Sequence, residues 1–292
     1  MSKLCLMAVL MTTQLADTAA AQKNADEGRV LRARHATSTI QLKVFNAAGA
    51  VRLIGWSKDS IVVRGRGPTS NGFYFGGDSA QAKLGIEERS DSKPMPRADL
   101  VVYLPTRSRV SIKTVAGDIT VSDVAGWFYT VSGNVRVSGT ASTVDVQSMS
   151  GSIDLDVKTP WVRAQTGDGN LLVRGEPQDI DASTIGGTLS IASSSILRGQ
   201  FGSVSGDVHY SASPAAGAVF DFSSHSGAID FALARSVSGV FSLSSVLGPI
   251  DNGFAQVRPI ATAPHSIRLS LGRGGAQIAA RTFKGAIRLH PE

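Results

Sequence analysis

The acidic residues give this sequence its best opportunity for chemistry. Asp154 and Asp156 alternate along a predicted strand, and Asp168 follows one repeat later. Side chains two residues apart on a strand lie on one face about 7 Å apart, and glycoside hydrolysis uses two carboxylates about 5–9.5 Å apart. The group therefore predicts either the acid pair of a carbohydrate-active enzyme, a lyase or a hydrolase, or a cation site. The alternative interpretation is that all three are ordinary turn and surface carboxylates.

Other signatures of catalysis are absent from the sequence. It contains no G-x-S-x-G elbow, no phosphate-binding Walker loop and no H-E-x-x-H zinc motif. The loop GDGN (167–170) lacks the alternating oxygen ligands of a calcium loop. We therefore predict a protein that is not an enzyme, with no catalytic, cofactor-binding or metal-binding residues and no cofactors. The histidines are scattered and are expected at the surface: His35, His209, His225, His265 and His290.

Basic residues cluster near the C-terminus, in a segment with few acids: Arg268, Arg273, Arg281, Lys284 and Arg288. On the last coil of a repeat protein such charges protect an open strand edge against aggregation. The other interpretation is a patch that binds polyanions, and the net charge of +6 is compatible with it. For an exported protein the expected partner is an envelope or surface component, such as an anionic glycan or a lipid headgroup, rather than nucleic acid.

The N-terminus has the pattern of an export signal. Lys3 precedes an apolar run (4–10), and small residues (19–21) form a cleavage site. The run is much shorter than the roughly 20 residues of a membrane span. We expect cleavage after residue 21 and a mature protein that is periplasmic, associated with the outer envelope or secreted, without a transmembrane segment. Cys5, the only cysteine, lies in this signal, so the mature chain offers no thiol for disulfides, metal ligation or catalysis.

A short phrase recurs between residues 116 and 252 and predicts the architecture. Most copies have a glycine, a small or polar residue and then an apolar–x–apolar triplet, and the copies recur at intervals of 16 to 21 residues. A period near twenty residues predicts a solenoid with inward apolar pairs, glycine corners and two short strands per coil. The copies are AGDITV, SGNVRV, SGSIDL, TGDGNLLV, GGTLSI, SGDVHY, SGAIDF and LGPIDN. The glycines assigned to the corners are Gly117, Gly133, Gly151, Gly167, Gly187, Gly206, Gly227 and Gly248.

The predicted fold class is all-β. It is a single-stranded β-solenoid, similar to a parallel β-helix, with a short N-terminal antiparallel β meander and a C-terminal β cap. The expected organisation is an export signal (1–21), a meander or cap continuous with the solenoid (22–112), and the solenoid proper (113–292) with its cap from about 258. The aromatic cluster NGFYFGGD (71–78) is either a plug that closes one end of the core or a stacking platform for a sugar ring.

At this point the sequence resembles a known family. AAGAVRLIGWSKDSIVV (47–63), then DLVVYLPTRSRVSIKTVAGDITVSDVAG (99–126) and the phrases that follow are similar to a bacterial family of unknown function labelled "putative adhesin". They also resemble the head GIN autotransporter adhesin group. The resemblance covers roughly residues 40–290 and implies an exported, right-handed β-solenoid-like protein without established catalytic residues. The longer later coils and Pro249 depart from the family pattern.

The sequence therefore favours a non-enzymatic envelope or surface protein that binds or scaffolds an unidentified component. A carbohydrate-active enzyme that uses the outward Asp154, Asp156 and Asp168 is the alternative.

Overall fold

The structure is a computed structural model that describes residues 28–68, 72–86, 95–254 and 256–292. The predicted export signal, with Lys3 and Cys5, lies outside the described residues. Among the described residues the regular elements are all β-strands, and no helix is long and apolar enough to cross a membrane. The all-β solenoid predicted from the sequence is confirmed.

The strands are numbered in chain order. They are β1 Arg29–His35, β2 Gln41–Ala48, β3 Val51–Trp56, β4 Ser60–Arg66, β5 Phe73–Gly77, β6 Gln81–Ile86, β7 Asp99–Pro105, β8 Arg109–Ala116, β9 Ile119–Ser122, β10 Ala125–Ser132, β11 Val135–Thr140, β12 Val144–Ser148, β13 Ile153–Thr166, β14 Leu171–Thr184, β15 Leu189–Ile191, β16 Arg198–Ser203, β17 Val208–Tyr210, β18 Val219–Ser224, β19 Ile229–Leu233, β20 Gly239–Ser245, β21 Ile250–Asn252, β22 Ala261–Ala263, β23 Ser266–Leu271, β24 Ala276–Thr282 and β25 Ile287–Pro291.

The strands stack into two ladders of parallel strands. In ladder A the spatial order is β7, β3, β9, β11, the first half of β13, the first half of β14, β15, β17, β19, β25 and β21. In ladder B it is β6, β2, β8, β10, β12, the second halves of β13 and β14, β16, β18, β24 and β20. One coil of the solenoid is a ladder B strand followed by a ladder A strand.

The apolar pairs of the repeat fill the core between the ladders, as predicted. Ile119 and Val121 are buried, as are the equivalent pairs in later coils, down to Ile229 and Phe231. The residue between each pair faces outward, and Arg136, for example, is exposed. This is the side-chain alternation that an extended backbone imposes.

The corner between the two ladders is built by a Ser or Thr and a glycine three residues later. The Thr166 hydroxyl donates to the Gly151 carbonyl of the preceding coil at 2.9 Å, and the Ser148 hydroxyl accepts from the Gly151 N–H at 2.8 Å. A Cβ on Gly151 would lie 1.6 Å from the Gly133 carbonyl oxygen, so only glycine fits. In spatial order the glycines in contact are Gly49, Gly117, Gly133, Gly151, Gly169, Gly187, Gly206, Gly227, Gly285 and Gly248.

One corner glycine was predicted wrongly. Gly169, not Gly167, occupies the corner, because a Cβ on Gly169 would meet the Gly151 carbonyl oxygen at 2.1 Å. The segment around it contains two glycines two residues apart, and spacing alone does not distinguish them. With Gly169 as the corner glycine, three consecutive intervals between corner glycines are each 18 residues long.

The N-terminal strands are only partly antiparallel. β2 and β3, predicted as part of a meander, form a coil of the parallel ladders that lies between β6–β7 and β8–β9. Period-two alternation identifies strands but not their partners. Gly49 adopts a positive φ of 93°, and Asn46 donates to its carbonyl at 3.0 Å, so this turn is a corner and not a hairpin. The antiparallel partners of this end are β1, β4 and β5.

The C-terminal segment enters the stack instead of simply covering its end. β24 and β25 lie between the coil β18–β19 and the coil β20–β21 and are parallel to both. Only β22 and β23 pair antiparallel beyond β20. Thr282 and Gly285 supply the same corner as the repeat, since the Gly285 N–H donates to the Thr282 hydroxyl at 3.0 Å.

The glycine contact predicts a steep stability cost at the corner. Gly151→Ala places a methyl group against backbone of the neighbouring coil, so we expect a loss of at least about 2 kcal/mol in the free energy of unfolding. Gly202→Ala is the matched control, because its Cβ would meet only side-chain atoms at 3.6 Å or more. Denaturant unfolding of both variants measures the difference, and equal stabilities would contradict the proposed steric constraint.

The corner hydroxyl gives a second prediction. Thr166→Val keeps the side-chain shape but removes the donor to the Gly151 carbonyl, and we expect a loss of about 1–2 kcal/mol in the free energy of unfolding. Thr166→Ser retains the hydroxyl and should recover most of the loss. If thermal and denaturant unfolding rank the Ser variant no better than the Val variant, the hydrogen bond does not stabilise the corner.

Candidate functional site

Charge is distributed unevenly along the solenoid. Residues 28–113 contain 15 Lys and Arg against 6 Asp and Glu, whereas residues 114–254 contain 6 against 13. The coils β6–β7 and β2–β3 come from the first of these ranges, and β8, which begins in it, is adjacent to β2 in space. One end of the solenoid is therefore strongly basic and the middle is acidic.

The basic end presents one continuous surface on ladder B, which we call the N-terminal face. It consists of the outward residues of β6, β2, β8 and β10, four adjacent strands whose sequences contain no Asp or Glu. At about 4.8 Å per strand, the face extends over about 14 Å. Its members are Gln41, Lys43, Phe45, Gln81, Lys83, Gly85, Arg109, Ser111, Lys113, Trp127 and Tyr129.

A cleft of about 460 Å³ lies at the outer edge of this face. Tyr74 on β5 lies over Gly85, where a Cβ would meet the tyrosine hydroxyl at 2.7 Å. Lys43 and Lys83 stand side by side in register along the adjacent strands. The volume is within the range of small-molecule sites. The lining residues are Gln41, Lys43, Tyr74, Gly76, Gly77, Asp78, Gln81, Ala82 and Lys83.

The aromatic side chains of the cluster at 71–78 therefore have two different roles. Phe73 and Phe75 pack against the core, as expected of a plug, and Arg34 lies 5.6 Å from the Phe75 ring centroid. Tyr74, between them in sequence, is exposed and lines the cleft. Strand alternation produces this division, because neighbouring residues of β5 face opposite sides.

Asp78 is the carboxylate of the cleft. Its Oδ1 accepts hydrogen bonds from the backbone N–H groups of Gln81 at 2.7 Å and Ala80 at 2.8 Å. These two hydrogen bonds, together with the charge of Arg34, lower the pKa of the Asp78 carboxyl below its ordinary value. The carboxylate is thus ionised at neutral pH. Its Oδ2 has no hydrogen-bond donor among the described residues, and Asp78 lines the cleft.

The other end of the N-terminal face carries an aromatic pair. The Trp127 and Tyr129 rings are nearly parallel, with an interplanar angle of 11° and centroids 5.6 Å apart. Lys113 lies 5.7 Å from the Tyr129 ring centroid. On the next strand Asp145 is in register with Trp127 and ends the face. Burial raises the pKa of the Asp145 carboxyl, against the opposing effects of a Gln147 hydrogen bond and the Arg163 charge.

The three acidic residues that the sequence suggests as a site, Asp154, Asp156 and Asp168, lie in three different environments. Asp154 forms ion pairs with Arg136 at 3.2 Å and Arg174 at 2.7 Å, one in each neighbouring coil. Asp156 lies exposed on the same strand, whereas Asp168 lies in a corner, just before Gly169. In the described part of the chain no three His, Cys, Asp or Glu residues are arranged to hold a metal ion.

The C-terminal basic residues are partly matched by acids. Arg281 forms an ion pair with Asp221. Arg288 lies in register between Asp230 and Asp251, since β25 is inserted between their strands. The remaining members are exposed and form no ion pair within the described ranges: Arg268, Arg273 and Lys284. Two of the predicted surface histidines, His209 and His290, contact Asp230 at 3.5 and 3.3 Å.

Sequence reasoning missed the N-terminal face, although one signal was visible. Lys43, Lys83 and Lys113 each stand between two buried residues of a strand, the position that alternation assigns to the outside. Their strands are far apart in sequence and become neighbours only because β2 lies between β6 and β8. That order was not predicted.

Comparison with known proteins identifies one family. The model of the family described as Toastrack DUF4097 matches residues 58–263, which is more than two thirds of the chain. No curated protein matches the sequence.

Nine chains of solved structures match. A "putative adhesin" from Bacteroides fragilis is 11% identical, with a TM-score of 0.47, and the match covers 90% of this chain and 97% of that one. A "putative lipid binding protein" from Parabacteroides distasonis is also 11% identical, with a TM-score of 0.48 and coverage of 90% and 96%. A "putative cell adhesion protein" from Clostridium sporogenes is 9% identical, with a TM-score of 0.23 and coverage of 90% and 100%.

The raised pKa of Asp145 predicts a pH-dependent stability difference. Because folding raises this pKa, the protonated form is favoured in the folded state, and the resulting stabilisation is lost as the pH rises through the folded-state pKa. Asp145→Asn removes the ionisable group, so we expect the variant to be more stable than the parent at pH 7. The difference should vanish below the unfolded-state pKa of about 3.9. Unfolding temperatures measured between pH 3 and pH 7 test this, and a difference that does not change with pH would contradict it.

Proposed function

The chain belongs to the Toastrack DUF4097 family, and on that premise we propose that it is a non-enzymatic, adhesin-like solenoid of the cell envelope. In this proposal the protein is exported, and it binds or scaffolds an anionic envelope or surface component through its N-terminal face. The export signal predicted from residues 1–21 and the basic end of the solenoid support the proposal. The finer resemblance to the head GIN group stays a prediction.

The observation that carries the proposal is the placement of Lys43 beside Lys83. Their strands are hydrogen-bonded neighbours with these two residues in register, and no carboxylate lies on either strand. Two like charges on adjacent strands repel each other, and this repulsion is not offset by an ion pair within the described residues. An anionic ligand would remove the repulsion and gain two charge-assisted contacts.

The C-terminal basic residues support polyanion binding less well. Arg281 already contacts Asp221, and Arg288 is flanked by two aspartates on the neighbouring strands. These charges hold the inserted coil in place. Arg268, Arg273 and Lys284 retain free charge, so they supply a matched comparison for the N-terminal face.

The alternative of a carbohydrate-active enzyme gains no support from the geometry of Asp154. A general acid must reach the leaving-group oxygen of the substrate with its own oxygen. Both Asp154 oxygens instead accept from a guanidinium group, Oδ2 from Arg136 and Oδ1 from Arg174, so both are already engaged.

A charge-matched pair of triple variants tests the proposed function. The first variant replaces Lys43, Lys83 and Lys113 with Gln, and the second replaces Arg268, Arg273 and Lys284 with Gln. We expect the parent to be retained by isolated envelope material in a salt-dependent manner, because exposed charges are screened within about 8 Å at physiological ionic strength. The first variant should lose retention at this ionic strength, and the second should keep most of it. The measurement is the bound fraction after co-sedimentation at increasing salt.

Equal losses in both variants would remove the N-terminal face from the proposal, since both delete three positive charges but in different places. Retention that is independent of salt in the parent would exclude an anionic component altogether. Cell fractionation tests export directly, because the proposal requires the mature protein to be found outside the cytoplasm.

A further inference from the structure

The geometry points to an acidic carbohydrate as the ligand of the cleft at Tyr74, with its acid group against Lys43 and Lys83 and its hydroxyl groups against Asp78. This inference rests on the proposed function and makes it specific. It assigns a chemical class of ligand to one place on the N-terminal face.

The lysines define the anionic part of the ligand. Both lysines are exposed and line the same cleft. Their strands are hydrogen-bonded neighbours, and the spacing between the two strands is about 4.8 Å. Each ammonium group presents up to three donors and no acceptor. A single carboxylate or sulfate placed between them can therefore accept from both.

Asp78 defines the remaining part of the ligand. Its carboxylate is ionised and accepts only, it lines the cleft, and its Oδ2 has no donor within the described ranges. A phosphodiester or a lipid phosphate offers acceptors and no donor, so it would be repelled by this group. A sugar offers hydroxyl donors close to its acid group, and a cleft that contains both two cations and an acceptor carboxylate matches that combination.

Tyr74 and the two glutamines complete the match. The Tyr74 side chain lies over Gly85, because a glycine there leaves room that any side chain would fill. A sugar ring can bury apolar area against such an aromatic ring at a small entropic cost, since the ring is already held in place. Gln41 and Gln81 line the same cleft on adjacent strands, and each can both donate to and accept from hydroxyl groups.

A membrane surface fits this cleft less well than a saccharide chain. The cleft is recessed beside β5, and the aromatic ring that lines it lies over Gly85. A bilayer surface would need apolar groups that project, whereas a polymer chain can enter a recess. Single-stranded nucleic acid also uses basic and aromatic surfaces, and it is therefore included as a competing outcome of the test.

The test compares four probes on the full chain by calorimetry. They are an oligogalacturonate, a neutral oligogalactan of equal length, an oligothymidylate and vesicles that contain phosphatidylmethanol, an anionic lipid whose headgroup has no hydroxyl donor. The variants are Lys43→Gln with Lys83→Gln, Tyr74→Ala and Asp78→Asn. The control is Lys284→Gln, which removes an exposed charge at the other end. All five side chains are exposed, so thermal unfolding should stay close to that of the parent and shows whether a loss of binding is a loss of folding.

We expect the oligogalacturonate to bind in a salt-dependent manner and the neutral oligomer to bind at least about tenfold more weakly. The paired lysine variant and Tyr74→Ala should each weaken oligogalacturonate by about tenfold, and Lys284→Gln should leave it unchanged. Asp78→Asn separates the ligand classes. It should weaken the sugar acid, because an amide is a poorer acceptor for hydroxyl groups, but it should strengthen oligothymidylate by removing a repulsive charge.

Several results would overturn the inference. Tighter binding of oligothymidylate or of vesicles than of oligogalacturonate would replace the sugar with a nucleic acid or a lipid surface. Equal binding of the neutral oligomer would remove the role of the lysines. If oligogalacturonate fails to bind while the parent is still retained by envelope material through Lys43, Lys83 and Lys113, the inference fails and the proposed function stands.

Discussion

The fold depends on one contact that recurs at the same corner of each coil. The corner glycines of adjacent coils lie very close together. A Cβ on Gly206, for example, would be 1.8 Å from the carbonyl oxygen of Gly187. At most corners a Ser or Thr three residues earlier bonds the corner's backbone groups, as Thr184 does for the Gly187 N–H at 3.1 Å. Buried backbone groups must find partners, and at a tight corner strand pairing does not reach all of them. The recurring phrase of the sequence is therefore the tail of a longer corner motif, Ser/Thr-x-x-Gly.

A corner of this kind makes the order of coils in space independent of their order in the chain. Any segment that supplies the corner and two alternating strands can occupy a place in the stack. Near the N-terminal end β2–β3 lies between β6–β7 and β8–β9, and near the C-terminal end β24–β25 lies between β18–β19 and β20–β21. Each of these segments gains hydrogen bonds on both of its edges, where a terminal coil would gain them on one. Both inserted segments, β2–β3 and β24–β25, are thereby fixed inside the stack.

The features that depend on local residue chemistry can be predicted from the sequence. The features that depend on which strands pair with each other cannot. Alternation placed Val135 and Val137 inside and Arg136 outside, since the period of a strand leaves no other arrangement. The choice between Gly167 and Gly169 needed the neighbouring coil, because only contact with Gly151 distinguishes them. The cleft was beyond sequence reasoning for the same reason. Its lysines are contributed by two strands that the chain brings together only through the unpredicted position of β2.

The charges on neighbouring coils are matched in the middle of the solenoid and unmatched on the N-terminal face. In the middle of ladder A, Asp154 is flanked by Arg136 and Arg174, and the inserted Arg288 lies between two aspartates. Adjacent coils there carry opposite charges, which attract at the strand spacing of about 4.8 Å. On the N-terminal face Lys43 instead faces Lys83, and the next outward position is Ser111. Outward positions are free of packing constraints, so an acid at either lysine position would have been compatible with the fold and better for its stability. A like-charged pair beside an aromatic ring and a carboxylate is the arrangement that the proposed anionic ligand would stabilise, and the packing of the solenoid does not require it.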